Sequence, residues 1–225
     1  MKNNIEIVQT ISDDGLYNSN ALGFEGIHVF KADEKMKLNL NIIKMEGWKR
    51  ALWFDETGLP WVNPSPNIRN MNQACLYPGL GLFERLNVAN KRGLPSPFEM
   101  IGAPWINAYD LVNHLNKYNL PGVNFTPIKF SPEEHKYRNE FCEGIYITIT
   151  DREKLEPVKL GFIIIITLYK MYPQEFDIDK LWHITRSQDL IEEIKNDTSI
   201  AELIKDWNKD LDVFRNNRAK YLLYP

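Results

Sequence analysis

Apolar residues recur every three or four positions near the end of the chain, at Ile200, Leu203, Ile204, Trp207, Leu211 and Phe214. That spacing predicts one inward face of a helix. Ser199 and Glu202 stand at its start as a capping box, in which each side chain can satisfy the other residue's backbone N–H. Asn107 predicts the cap of another helix reaching about Tyr118, with Ala108, Leu111, Val112 and Leu115 facing inward and Pro121-Gly122 stopping it. A shorter helix is predicted from about Asn70 to Leu76, ending near Pro78-Gly79.

Strand patterns lie between these helices. Ile145, Ile147 and Ile149 alternate with other residues up to Thr150, and Val123 to Phe130 reads as a second strand that Pro127 restricts to an edge or a bulge. Leu38, Leu40, Ile42 and then Met45 predict an earlier strand ended by Glu46-Gly47, after which Pro60, Pro64 and Pro66 make Gly58 to Asn67 an extended loop. The run Pro157 to Tyr172 is double-valued. Its four consecutive isoleucines favour a strand, whereas its length, its proline in a first helical turn and Pro173 just beyond favour a buried helix. Helices and strands that do not strictly alternate predict an α+β fold, a mixed sheet packed with helices.

At 225 residues and 44% hydrophobic, the chain can bury a core, and one compact domain is the simplest organisation. A net charge of −3 provides neither a basic field for nucleic acid nor a polybasic membrane patch. The longest apolar run, Leu160 to Tyr169, is far short of the ~20 residues that span a bilayer. The N-terminal MKNNIEIVQTISDDG has no apolar run of signal-peptide length, so the chain as written is not marked for export. Cys75 and Cys142 form no metal-type spacing and can be bridged or free. His28, His114, His135 and His183 are scattered without a metal-binding pattern, and there is no phosphate loop, dinucleotide fingerprint or GxSxG elbow. No metal and no cofactor are expected.

The densest punctuation falls in YPGLGLFERLNVANKRGLPSPFEMIGAPW, Tyr77 to Trp105, with four glycines and four prolines. Glycine permits close backbone approach and proline fixes the chain on either side, so this segment can present Glu84, Asn87, Arg92 and Glu99 in defined positions. Glu99, flanked by Phe98 and Met100, reads as structural. Asp55 and Glu56 precede a Thr-Gly turn and read as turn chemistry.

Several motifs in order resemble one family. They are WFDETGLPWVNPSPN (Trp53 to Asn67), YPG (Tyr77 to Gly79), FE with Asn87 three residues on, Arg92-Gly93 and PFEMIGAPW (Pro97 to Trp105). Further on come LPGV, Lys136-Tyr137, Thr150 to Arg152, Met171 to Pro173 and the terminal YLLY. From about Leu38 to Tyr224 the chain is similar to the C-terminal portion of the NamZ-type exo-β-N-acetylmuramidases. These bacterial glycosidases trim peptidoglycan fragments.

The resemblance implies a C-terminal domain, residues 31–225, preceded by an unmatched segment 1–30. The family's N-terminal Rossmann-like domain has no counterpart in this reading, and a chain or domain of that kind becomes an implied partner. It also implies release of terminal β-1,4-linked N-acetylmuramic acid from the non-reducing end of peptidoglycan fragments, and family members are often exported. The glutamate proposed as catalytic acid belongs to the other domain, in a Ser-Pro-Glu-His-Gly stretch. Ser131-Pro132-Glu133-Glu134-His135 looks similar but lies where the family has a loop leading into its Lys-Tyr pair, so no catalytic role is carried to Glu133 or Glu134.

The substrate-binding residues implied are Glu84, Asn87, Arg92, Gly93, Trp61, Trp105, Lys136 and Tyr137. A guanidinium suits the lactyl carboxylate of N-acetylmuramic acid because its planar fork can make two charge-assisted hydrogen bonds, which makes Arg92 the first candidate. Its plain alternative is to bond loop carbonyls or pair with Glu84 or Glu99. Glu84 and Asn87 suit hydroxyl and acetamido groups, or else the loop's own cohesion. Trp61 and Trp105, in loops, suit stacking on a sugar face, whereas Trp48, Trp53, Trp182 and Trp207 read as core. Lys136 and Tyr137 match a family pair that reaches the cleft, or form a solvated lysine beside a packed tyrosine.

Within the Glu84 to Leu94 stretch, Leu86, Ala89 and Leu94 stand where the family pattern carries hydroxyls, and Arg85 and Lys91 where it carries glycines. The expectation is a loop with fewer donors for a sugar. The alternative left open is a non-catalytic sugar-binding or interaction domain, or a degenerate truncated gene product.

Overall fold

The computed structural model describes residues 4–8, 39–219 and 221–224. Leu38, His28 and most of the 1–30 segment lie outside the described residues. The chain divides into two compact units, one formed by residues 65–204 and the other by residues 1–64 with 205–225.

In the unit that contains both termini, β1 (Asn4–Val8) pairs in parallel with β2 (Asn39–Ile43), Ile7 opposite Ile42. The Met45 N–H donates to the Tyr224 hydroxyl at 3.0 Å, and the Tyr224 ring meets Trp48 edge-on at 4.7 Å. A 3-10 turn, Phe54–Thr57, closes through the Trp53 N–H donating to Glu56 Oε2 at 2.9 Å, so Glu56 does act in the turn. Trp61 packs edge-on against Phe54, and its Nε1 donates to Asn63 Oδ1 at 2.9 Å.

Unit 65–204 holds the three-stranded sheet. Its strands are β3 (Met100–Ala103), β4 (Val123–Phe130) and β5 (Cys142–Ile149), in the order β3-β5-β4 and antiparallel throughout. The α+β class is as expected, but the sheet is not mixed: the parallel pair β1-β2 forms a separate two-stranded sheet. The connection from Phe130 to Cys142 is too short and irregular to carry the helical crossover that parallel pairing requires, so β4 and β5 run antiparallel. Pro127 lies on the edge strand β4, where its missing N–H deprives no neighbour.

Helix α1 (Met71–Leu80) is capped by the Asn70 side chain, which accepts from the Gln73 N–H. It continues through Pro78, further than the proline and glycines suggest. Packing against α3 (Pro157–Met171) explains the extension: a Cβ on Gly79 would lie 1.8 Å from the Pro157 carbonyl oxygen, and one on Gly161 would lie 2.5 Å from the Gly79 oxygen. The two helices therefore touch backbone to backbone, and only glycine permits it. The ambiguous isoleucine run is this helix, buried continuously from Leu160 to Leu168. α2 (Ala108–Asn116) is capped by Asn107 and buries Ala108, Leu111, Val112 and Leu115.

Beyond α3 come α4 (Trp182–Thr185), α5 (Gln188–Lys195) and α6 (Ile200–Ala219). The Ser199–Glu202 capping box forms, with the Ser199 N–H donating to Glu202 Oε2 at 3.1 Å and the Glu202 N–H to Ser199 Oγ at 3.3 Å. The predicted apolar stripe of α6 is buried at Leu203 but exposed at Leu211 and Phe214, 43% and 50%. Trp182 is 40% exposed, with the Arg186 guanidinium 4.5 Å from its ring centre, so it is not the core residue its sequence suggests. Neither cysteine is in a disulfide, and Cys142 is buried at the start of the central strand β5. No helix is long and apolar enough to cross a membrane.

Candidate functional site

The segment after α1 is held to the sheet at several points. A 3-10 turn, Gly81–Glu84, drives Phe83 into the core, and the chain then forms an antiparallel bridge in which Ala89 and Gly102 exchange hydrogen bonds at 2.8 and 3.0 Å. The buried Asn90 amide donates to the Leu80 carbonyl at 2.8 Å. Phe98 takes a left-handed φ of 63° and stacks edge-on with Tyr77. Beside it, Glu99 is buried; its Oε2 accepts from Gln73 Nε2 and its Oε1 from the Tyr146 hydroxyl, both at 3.0 Å. Burial, then the Glu99 charge, raises the Tyr146 pKa, which keeps that hydroxyl a donor. The structural role expected of Glu99 is the one observed.

Leu86, Ala89 and Leu94 are all buried, at 0%, 4% and 3% exposure. Their side chains are packing elements of this unit.

Five candidate residues meet at one junction. The Asn87 side chain bridges main-chain groups, donating to the Glu175 carbonyl at 2.7 Å and accepting from the Asp177 N–H at 2.9 Å. The Tyr137 hydroxyl donates to the Asn87 carbonyl at 2.8 Å and accepts from Trp105 Nε1 at 3.2 Å. Trp105 is half-buried against Tyr172 and Phe176, with ring centres at 5.3 and 6.1 Å. The Lys136 ammonium donates to the carbonyls of Phe83, Glu84 and Leu86. Glu84 pairs with Lys91, whose hydrogen bond lowers the carboxyl pKa despite some burial.

Arg92 and Gly93 line an open cleft of about 790 Å³ beside this junction. Its walls come from Ser65 to Asn67 with Arg69, from Arg92 to Pro95, and from Phe130, Ser131, Glu133 and Glu134. Gly93, at φ 74°, accepts from the Glu133 N–H at 3.0 Å and so brings the two loops together. Arg92 is exposed and makes no ion pair or hydrogen bond among the described residues. Its expected alternative partners are engaged elsewhere, Glu84 with Lys91 and Glu99 with Gln73 and Tyr146. Glu133 and Glu134 likewise form no ion pair, and Arg69 donates through Nε to the Pro66 carbonyl at 3.0 Å.

Arg69 was not among the residues singled out from the sequence. Its local signal is weak: an arginine at the end of a proline-rich loop shows nothing of the Ser65–Ile68 bridge that turns it into the cleft. Trp61 belongs to the other unit. Among the described residues no group of His, Cys, Asp or Glu could hold a metal ion.

The fold of this chain is similar to that of two DUF1343 family proteins. One from Bacteroides fragilis NCTC 9343 superposes with a TM-score of 0.81 at 28% identity, covering 89% of this chain and 55% of that one. A second from the same organism superposes with a TM-score of 0.64 at 23% identity, covering 91% and 54%.

Residues 75–224 match the C-terminal family model of the exo-β-N-acetylmuramidase NamZ, and residues 22–72 match its N-terminal family model. The chain belongs to the NamZ exo-β-N-acetylmuramidase family of peptidoglycan hydrolases. The peptidoglycan β-N-acetylmuramidase NamZ of Bacillus subtilis (strain 168) is 37% identical over 206 residues, 87% of this chain and 48% of that protein. The chain thus spans about half the length of the relatives it matches.

Proposed function

We propose that this chain supplies the substrate-contacting part of a peptidoglycan-fragment hydrolase that releases terminal β-1,4-linked N-acetylmuramic acid from the non-reducing end. In this reading the Arg92 cleft holds the lactyl-bearing side of the sugar, and a Rossmann-like N-terminal counterpart supplies the catalytic acid. Arg92 is the observation that carries it: an exposed guanidinium lining a cleft large enough for a sugar, with no partner among the described residues. A carboxylate presented there can accept two charge-assisted hydrogen bonds.

Glu133 and Glu134 on the facing wall suit sugar hydroxyls, for which a carboxylate is an acceptor. Trp105 is the candidate for ring stacking within this unit, and Glu84, Asn87, Lys136 and Tyr137 frame the neighbouring junction.

Titration with N-acetylmuramic acid against N-acetylglucosamine tests the reading. The chain is expected to prefer the former, and Arg92→Ala to weaken that affinity roughly 10–100-fold, the range for a charge-assisted hydrogen bond. Because Arg92 is exposed and unpaired, the same variant is expected to unfold within about 0.5 kcal/mol of the parent. Equal affinity for the two sugars overturns the assignment.

A further inference from the structure

The loop between β4 and β5 has a feature that sugar binding does not explain. Three residues that are not glycine, His135, Tyr137 and Asn139, take left-handed φ values of 66°, 58° and 59°. Such conformations cost on the order of 1 kcal/mol each and persist only where their surroundings hold them. Between the first two of these residues, Lys136 turns its side chain inward, onto the carbonyls of Phe83 at 3.4 Å, Glu84 at 3.2 Å and Leu86.

We propose that Lys136 is a positioning residue, a pin that fixes the Phe83–Asn87 turn against the β4–β5 loop, with Tyr137 anchoring the same turn one residue further on. The Lys136 nitrogen meets three carbonyl oxygens of a single turn, and it keeps two N–H donors for them after the ammonium loses its proton. The Tyr137 hydroxyl then takes the Asn87 carbonyl, so four of five consecutive carbonyls in the turn are held from one loop. Gly93 and Glu133 join the same two loops from the other side through their 3.0 Å hydrogen bond. The Asn87 amide is thereby aimed at Glu175 and Asp177, and Trp105 is tied in through Tyr137. The pin rests on contacts within the protein and is independent of what the Arg92 cleft binds.

The pinned ammonium sits in an unfavourable field. Burial comes first, followed by the charges of Lys91, Lys180 and Arg85; Glu84 alone opposes them, and His135 stands beside it. Together they hold the Lys136 pKa down to about 8. A lysine released into water titrates near 10.5. The pinned state therefore binds fewer protons than the released state between these values, and raising the pH through that window favours pinning.

Hydrogen exchange of residues 83–88 in the 225-residue chain reads the turn directly once corrected for intrinsic base catalysis. Protection in the parent is expected to rise roughly tenfold between about pH 7 and about pH 9.5, as the linkage requires. Lys136→Met is expected to lie at least about tenfold below the parent at the higher pH and to show no pH response, with residues 108–116 unchanged. Lys136→Arg, which cannot titrate in this range, is expected to show no pH response and decides the matter if the methionine variant does not fold. Lys136→Met matching the parent at both pH values, or a pH response surviving in either variant, overturns the proposal.

Discussion

A Cβ placed on Gly93 would lie 2.3 Å from the Glu134 nitrogen and 2.7 Å from its carbonyl oxygen. The cleft's two central walls therefore meet backbone to backbone, at a residue whose φ of 74° already favours glycine. Gly93→Ala is expected to cost about 2–4 kcal/mol through backbone strain and forced separation of the loops. Chemical denaturation measures it; a cost below about 1 kcal/mol contradicts the contact.

Asn87 spends both ends of its amide on main-chain groups at Glu175 and Asp177. Asn87→Ala leaves two such groups without their partner and is expected to destabilise by about 1–3 kcal/mol. Asn87→Asp keeps the acceptor for the Asp177 N–H but turns a carboxylate toward the Glu175 carbonyl, so recovery to the parent's stability would contradict the observed orientation of the amide.

Glu99 depends on two donors for its buried oxygens, Gln73 Nε2 and the Tyr146 hydroxyl. Tyr146→Phe removes one donor while nearly conserving volume. The expected loss is about 1–3 kcal/mol. Glu99→Gln made together with Tyr146→Phe is expected to recover part of it, because the charge that needed the donor is gone; a double-mutant cycle in unfolding free energy tests that coupling.

Cys142 is fully buried, and burial, with a smaller contribution from the Glu140 charge, pushes its thiol up to about 11 from 9.0. The folded chain holds this proton where the unfolded chain releases it. Stability from this group is thus intact below pH 9.0 and declines as pH rises toward 11. In alkylation near pH 8 the half-buried Cys75 is expected to react and Cys142 to react only after denaturation. Equal labelling of the two in the native chain rules this out.

Local signals were legible where the responsible group sits within a few residues. The Asn107 cap, the Ser199–Glu202 box, the α2 inner face and the edge position of Pro127 all follow from short-range chemistry and were readable as such. Pro78 misled because its local effect was outweighed by a contact 82 positions away, where Gly79 meets Gly161. Arg69 was invisible for the same reason: only tertiary folding brings residues 65–69 alongside Arg92 and Glu134. The α6 stripe shows the converse limit, since periodicity specifies a face but not what covers it, and Leu211 and Phe214 are exposed. The motifs identified the family, while which members of its loop face outward needed the fold; Leu86, Ala89 and Leu94 face inward.

The residues that grip the Phe83–Asn87 turn do so through its oxygen atoms, and those atoms are the same whatever amino acid occupies each position. The path of this segment is thus insulated from the identity of its own exposed side chains. Arg85, whose carbonyl neither residue takes, is exposed in the middle of the curve that Lys136 and Tyr137 hold from outside. What the turn displays is thereby separated from what holds it, and the holding groups lie in a loop fifty residues further along.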